Sequence, residues 1–277
     1  MSDRYQLLDS GNLRKLEQVG PVRIIRPALN AFWPPSLPHD EWERADSEFI
    51  REATGSGRWH GRTLPESWIV EWGGFRIKVK PTGFGHLGFF AEQYRNWEFY
   101  RTIPGGGSAL NLFAYSGLAS LALAESGNRV CHLDAARGMI EWGRENQQLN
   151  PQAGNSIRWI ADDVNKFVAR EVRRESRYHT VVLDPPTFGR GSSGQLWKIE
   201  TDLVPLLAQC GKLREPGRDF LVVLSCHSPG FSLNVLKRIL VGVFGSRTEL
   251  DAEEMTIPES TGRELPSGIS VRCLVSK

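Results

Sequence analysis

The 277-residue chain is poor in cysteine, nearly balanced in charge and without a long apolar run, and each shortage narrows what it can be. Its four cysteines, Cys131, Cys210, Cys226 and Cys273, are widely spaced and form no CxxC pair. That excludes a disulfide framework and a zinc-finger pattern, and no metal is expected. The 34 Lys and Arg stand against 32 Asp and Glu, and the resulting net charge of +2 is too weak a field to indicate nucleic acid by itself. No apolar run is long enough to cross a bilayer, and the opening MSDRYQLLDSGN lacks the apolar core of a signal peptide. A cytoplasmic location with no membrane partner is the expectation. Repeats and low-complexity tracts are missing as well, whereas the 40% of apolar residues are ample for a core.

Glycine is scarce at one informative place. Residues 109–134, ALNLFAYSGLASLALAESGNRVCHLD, read as a buried strand, a tight turn at Tyr115, Ser116 and Gly117, a small-residue helix over 118–125, and a second strand ending in Asp134. In a βαβ unit the ligand lies outside the carboxyl ends of the strands, with the acid of the next strand on a ribose hydroxyl pair. A dinucleotide needs several glycines in the turn so that backbone can approach its pyrophosphate. Here there is one, and Phe113, Ala114, Tyr115 and Ser116 would crowd a pyrophosphate. S-adenosylmethionine has none; it offers an amino-acid end, a sulfonium, a ribose and an adenine, which suits the turn better than a nicotinamide cofactor does. On these residues alone an ordinary βαβ unit holding no ligand is the other reading.

Before this stretch, short apolar runs at 5–8 and 22–25 alternate with Gly11, Asn12, Gly20 and Pro21 in the manner of hairpins. A helix is expected over 39–52, with Trp42, Ala45, Phe49 and Ile50 on one face and Gly55 and Gly57 at its end. Trp68, Val70 and Trp72, then Gly73 and Gly74, then Phe75, Ile77 and Val79 give the clearest hairpin. Five of the nine tryptophans precede residue 80, where core filling is the first reading and base stacking the second. Another helix places Phe90, Tyr94, Trp97 and Arg101 on a shared face. These signals divide the chain into a small β-rich unit, 1–65, and a larger one, 66–277.

Past Asp134 the alternation continues. A helix over 135–149 precedes a strand at 157–160 that meets Asp162 and Asp163, and a further helix precedes a strand at 180–183 with Asp184, Pro185, Pro186, Thr187 and Phe188 at its tip. A flexible glycine-rich loop at 189–194, a helix over 196–213, a strand at 220–224 ending in Ser225, Cys226 and His227, a helix over 233–243 and an antiparallel pair near 247–257 and 269–275 complete the chain. Strands alternating with helices and closing on a hairpin make an α/β doubly wound mixed sheet. The acids all fall at one sheet edge, where open sheets collect ligands, although four unrelated loop carboxylates would leave the same trace.

With these motifs assembled, the chain resembles class I S-adenosylmethionine-dependent methyltransferases, and most closely the group containing bacterial 23S ribosomal RNA cytosine-5 and guanine-7 methyltransferases. LNLFAYSG matches the group's first-strand turn, VCHLD its ribose-binding strand, ADDV its adenine-contacting segment and DPPTF its active-site strand tip. GFGHLGFFAEQ, with Phe90 and Gln93, is similar to the segment that lies over the cofactor. The resemblance covers residues 75–277 and implies a Rossmann-like methyltransferase with a seven-stranded sheet. Two features depart from the group. Tyr94 stands where an arginine often follows the glutamine, and the RNA-binding PUA domain of some members is not recognisable.

The implied cofactor is S-adenosylmethionine, with Asn111, Phe113, Tyr115, Ser116 and Gly117 at its methionine end, Asp134 and Ala135 at the ribose, and Asp162 or Asp163 at the adenine amine. Asp184 falls where substrate meets the methyl, Pro185 and Pro186 stiffen its turn, and Phe188 is placed to stack on an extruded base. The implied partner is ribosomal RNA, since its loops present unpaired bases. Cys226 lies where the cytosine-5 enzymes carry a nucleophile that adds to C6 of the base; a buried small apolar side chain is the alternative. A methyltransferase for a small molecule or protein, and a cofactor-binding module without turnover, remain the competing functions.

Overall fold

The computed structural model describes residues 3–52, 56–191 and 194–277. Two compact units make up the chain: Met1–Arg95 with Thr256–Ser267, and Asn96–Met255 with Gly268–Lys277. The expected division at residue 65 falls inside the first of them.

In the first unit β1 (Tyr5–Gly11), β2 (Arg14–Val19) and β3 (Val22–Pro27) form an antiparallel meander, as the alternation of short apolar runs and turn residues implies. A short helix α1 (His39–Glu43) leads to β4 (Ser47–Arg51) and β5 (Gly57–Gly61), which complete a five-stranded sheet in the order β1-β2-β3-β4-β5. The helix expected over 39–52 is therefore confined to its first turns. Trp42, Ala45, Phe49 and Ile50 satisfy a helical face, but the backbone after Asp46 is claimed by β3 in parallel and by β5 in antiparallel pairing. Neighbours remote in sequence override the local period there. Gly55 lies outside the described residues.

β6 (Trp68–Trp72) and β7 (Phe75–Val79) form the anticipated hairpin, paired from Trp68↔Val79 to Trp72↔Phe75. It belongs to the same unit as the meander, because the Trp68 indole donates to the Val19 carbonyl at 2.9 Å and the Trp72 ring meets Tyr5 edge-on at 4.9 Å. The other tryptophans of this unit are likewise anchored: Trp33 donates to the Ser10 carbonyl, Trp42 to Asp9 and Trp59 to the Thr82 carbonyl. Trp72 donates to the Ala91 carbonyl at 2.9 Å, so all five indoles carry a polar tether, with Trp42 buried and the other four half-buried.

Under the meander, fully buried Glu17 accepts hydrogen bonds from Arg26 at 2.6 and 2.8 Å and from the Tyr5 hydroxyl at 2.8 Å, with the Lys15 ammonium 3.1 Å away. Burial alone would raise its pKa, but Arg26 and Lys15 outweigh burial and hold it at about 2. Buried Asp9 accepts from the Ser36 and Leu37 amides, from Trp42, and from Arg263 at 2.5 Å. That last contact, with Arg263 Nε to Glu259 at 3.0 Å, joins residues Thr256–Ser267 to the first unit.

A single 3-10 turn at Ala91–Gln93 and helix α2 (Tyr94–Thr102) lead into the second unit. There β8 (Ser108–Leu112), α3 (Leu118–Glu125), β9 (Arg129–Asp134), α4 (Arg137–Leu149), β10 (Ile157–Ala161), α5 (Val164–Arg173) and β11 (Thr180–Leu183) follow the expected alternation within a residue or two. Next come β12 (Phe188–Arg190), β13 (Leu196–Lys198), α6 (Ile199–Gly211), β14 (Phe220–Cys226), α7 (Leu233–Phe244), β15 (Thr248–Pro258) and β16 (Glu264–Val275). The seven-stranded sheet runs β10-β9-β8-β11-β14-β16-β15, with β16 antiparallel to β14. This is the mixed doubly wound sheet that the alternation implies. Its core is built from Leu110, Leu112, Leu133, Val181, Leu183, Val222 and Leu224 of the central strands and from the apolar faces of α5, α6 and α7.

Two local expectations fail. Residues 196–198 are strand, and α6 starts at Ile199. Gly189 and Arg190, expected in a flexible loop, lie in β12, which pairs antiparallel with β13 from Phe188↔Lys198 to Arg190↔Leu196. A pairing this short is cemented by the Trp197 side chain, buried in the core of the unit, and not by any period in the sequence. Ser192 and Ser193 of that loop lie outside the described residues. Among the described residues no helix is long and apolar enough to cross a membrane.

Candidate functional site

β8 pairs with β9 on one side and β11 on the other, so the strand order reverses there, and the carboxyl ends of β8, β9, β10, β11 and β14 bring the acids of the second unit to one edge. At the end of β8 the turn is tight enough to force Phe113 (φ 56°), Tyr115 (φ 50°) and Gly117 (φ 93°) into the left-handed region. Two bulky residues in that region are strained, and strain of this kind collects at functional turns. Gly117 has no alternative: a Cβ there would lie 2.9 Å from the Trp159 ring, which is wedged against Gly117 and Gly143 and tilted against His132 at 4.4 Å.

Asp134 fastens this turn. Its Oδ2 accepts the Tyr115 amide and its Oδ1 the Ala136 amide, each at 2.9 Å. Burial raises its pKa, while the amides of Ala136, Tyr115 and Ala135 pull it back. The carboxylate can only accept, so a vicinal hydroxyl pair of a ribose would bring it further donors and offset the cost of burial. The residues present therefore suit the ribose of S-adenosylmethionine. Asn111 is turned elsewhere: its amide donates to Ser120 on α3 at 2.9 Å, and Ser120 contacts His132 Nδ1 at 3.0 Å. Ser116 is buried, and its carbonyl accepts from Asn146 at 3.0 Å.

At the end of β10, Asp162 pairs with Arg170 at 2.6 Å and accepts the Asp163 amide at 2.8 Å. Asp163 caps α5 by accepting the Lys166 amide at 3.0 Å, and its other oxygen lies close to Gly191. Both acids carry structural duties, with Asp162 the more accessible of the two.

The third element is the turn after β11. Asp184 lies 3.4 Å from His227 Nε2, at the end of neighbouring β14. Pro186 presents its carbonyl to the Trp197 indole at 2.7 Å, Thr187 accepts the Ile199 amide at 3.1 Å, and the Thr187 hydroxyl meets Ser228 at 2.7 Å. Phe188 is 54% exposed, available to an aromatic partner. Trp197 also packs on Phe113 at 4.8 Å, so one buried indole supports both the β8 turn and the β11 turn. Cys226 is buried, and burial pushes its thiol up; hydrogen bonds from Ser228 lower it and the nearby Asp184 charge raises it again. A thiol so placed is held protonated, not poised as a thiolate.

Phe90 and Gln93 belong to the first unit. Phe90 meets His86 edge-on at 5.3 Å, and Gln93 is buried in the 3-10 turn. Arg95 stacks on Tyr94 and pairs with Glu264 at 3.3 Å. Among the described residues no cluster of His, Cys, Asp and Glu is arranged to hold a metal.

Trp197, His227 and Ser228 join the site without having been expected. Trp197 reaches it through a hairpin that no periodicity announces. His227 follows Cys226 directly, but neighbours on a strand point to opposite faces, and nothing in the sequence directs His227 to Asp184.

A family model described as S-adenosylmethionine-dependent methyltransferase matches residues 50–238. The chain is 29% identical over 193 residues to the ribosomal RNA large subunit methyltransferase K/L of Syntrophotalea carbinolica, covering 69% of this chain and 25% of that protein. It is 26% identical over 176 residues to the ribosomal RNA large subunit methyltransferase I of Aeromonas salmonicida, covering 61% and 43%. The crystal structure of the SAM-dependent methyltransferase from Agrobacterium tumefaciens is similar at a TM-score of 0.89 and 33% identity, over 98% of this chain and 90% of that one. The chain thus spans a quarter of the first of these relatives and under half of the second.

Proposed function

The chain belongs to the S-adenosylmethionine-dependent methyltransferase family, and from that premise we propose that it methylates a base nitrogen in large-subunit ribosomal RNA. The relatives named for ribosomal RNA support the substrate class. When bound, the cofactor supplies an electrophilic methyl group on sulfur. Asp134 and Ala135 hold its ribose, the backbone of Phe113, Tyr115, Ser116 and Gly117 its methionine end, and Asp162 its adenine side. The family resemblance assigns Phe90 and Gln93 to the cofactor as well. Asn111 and Asp163 support those contacts from behind through Ser120 and the α5 cap. Asp184 receives the target base, Pro185 fixes the direction of its carboxylate, and Phe188 stacks on a base drawn out of the RNA. The first unit, including residues 1–65, presents the RNA.

The observation that favours nitrogen over carbon is Cys226, whose thiol is buried and raised. Methylation at C5 of cytosine needs a thiolate to add at C6, whereas a nitrogen already carries the electrons that attack the methyl. Cys226→Ala tests the choice. The variant is expected to retain most methyl transfer, and wild-type protein is expected to form no covalent adduct with RNA containing 5-fluorocytidine. Loss of transfer together with such an adduct would make Cys226 the nucleophile and C5 the target.

A further inference from the structure

Resting on the reading above, we propose that His227 is a positioning residue for Asp184, which collects the proton that the reaction releases, so that the methylated atom is a base nitrogen that carries a hydrogen, as an exocyclic amine does. The argument begins with β14 and β16. Cys226 is opposite Ile269 in their antiparallel pairing, which sets His227 against Gly268. Gly268 has φ 139°, and a Cβ on it would lie 2.7 Å from His227 Nδ1 and 3.0 Å from Cε1. The imidazole is thus seated on a backbone surface that only glycine offers, with its other nitrogen, Nε2, 3.4 Å from Asp184 Oδ1. One ring edge is fixed by packing and the opposite edge addresses the acid.

This arrangement gives the two residues different tasks. With Nε2 protonated, His227 donates toward Oδ1 and turns the carboxylate so that Oδ2 accepts a hydrogen of the substrate amine. The amine's lone pair forms the new N–CH3 bond, and the S–CH3 bond breaks with its electrons returning to sulfur, which loses its positive charge. The positive charge is then on the methylated nitrogen, which sheds one proton to Asp184. His227 keeps its own hydrogen and stabilises the carboxyl in place, and water takes the collected proton from Asp184. A ring nitrogen without hydrogen would release no proton, and the pair would have nothing to accept. Other groups facing the pair are Cys226 and Ser228 on the same strand end and Tyr100 of α2, whose phenol is raised well up by burial and further by Asp184. β16 and β15 face it with Gly268 and Met255, which do not titrate.

The test uses the full chain and deproteinised large-subunit ribosomal RNA from cells lacking the gene, with isotopically labelled S-adenosylmethionine and identification of the methylated nucleoside. For His227→Ala, kcat is expected to fall about 100-fold, the scale of one proton-transfer group, while the KM for RNA and the affinity for S-adenosylhomocysteine change little. His227→Gln keeps a donor for Oδ1, so it should recover part of kcat, a rescue that a merely space-filling role for the ring would not give. Equal melting temperatures separate this from misfolding. If the wild type transfers no methyl to this RNA, the underlying reading fails and takes the inference with it. If the wild type is active and both variants match it, or if the methyl sits on a nitrogen that carries no hydrogen, the inference alone is overturned.

Discussion

Asparagine in place of Asp134 tests the cofactor end of the site more sharply than alanine, because it keeps the shape and changes one atom. The carboxylate accepts the Tyr115 amide on Oδ2 and the Ala136 amide on Oδ1, both at 2.9 Å. An asparagine offers one oxygen and one NH2 group, so one backbone donor must face another donor. An unsatisfied, partly buried N–H costs about 1–3 kcal/mol, and the lost charge-assisted bond to a ribose hydroxyl a further 1.5–3 kcal/mol or so. The first cost falls on the fold and should lower the melting temperature by about 2–4 °C per kcal/mol. The second falls on binding and should weaken S-adenosylhomocysteine about 10- to 100-fold, since 1.4 kcal/mol is tenfold. The pH dependence has a definite sign. Burial raises the Asp134 pKa in the free protein, and ribose hydroxyls favour the ionised form. Binding should therefore release a proton, and affinity should improve as pH rises through the free protein's raised value, a dependence that Asp134→Asn lacks. Calorimetric titration at several pH values, with a thermal melt, measures all three effects. A variant that melts and binds like wild type, with the same pH dependence, would refute the role given to Asp134.

Two further outcomes follow from buried hydrogen bonds elsewhere. Trp197→Phe keeps the ring on Phe113 but removes the donor to the Pro186 carbonyl at 2.7 Å; stability should fall by about 1–3 kcal/mol and kcat on RNA should fall more than cofactor affinity, and steady-state kinetics showing the reverse would contradict the coupling of the two turns. Glu17 is held at about 2 against an ordinary 4.5, so its stabilisation is complete above the ordinary value and is lost as pH falls from there through about 2. Denaturant titrations should show a loss on the order of 3 kcal/mol across that window in the wild type. In Glu17→Gln the same loss should appear already at neutral pH, with Arg26 left uncompensated, and a flat acid dependence in the wild type would contradict the buried pairing.

Most of the second unit was legible because buried parallel strands and amphipathic helices write their own periods. β8, α3, β9 and β11 follow the apolar runs and the Gly127–Asn128 stop to within a residue. The acids at strand ends were legible for the same reason: a strand's end fixes its tip. What was not legible depends on partners distant in sequence. Ser47–Arg51 carries a helical spacing of Phe49 and Ile50 and becomes a strand only through β3 and β5. Phe188–Arg190 and Leu196–Lys198 are too short to show alternation, and their pairing puts Trp197 under the Pro186 carbonyl. Asn111 and Asp163 look like ligand contacts from their places in the motifs, and the structure adds that their side chains hydrogen-bond to Ser120 and to the start of α5. The seat of His227 on Gly268 is a contact across two strands, and nothing local to either residue announces it.

The central claim is methyl transfer to a base nitrogen of large-subunit ribosomal RNA, and nucleoside mass spectrometry tests it most directly. Ribosomal RNA is digested from cells carrying the gene, from cells lacking it, and from the deletion strain complemented with wild type or with Asp184→Ala. The account predicts that one N-methylated nucleoside disappears on deletion, returns with the wild type and does not return with Asp184→Ala. Identical methylated nucleosides in all four samples, or a lost product methylated at carbon, would contradict it.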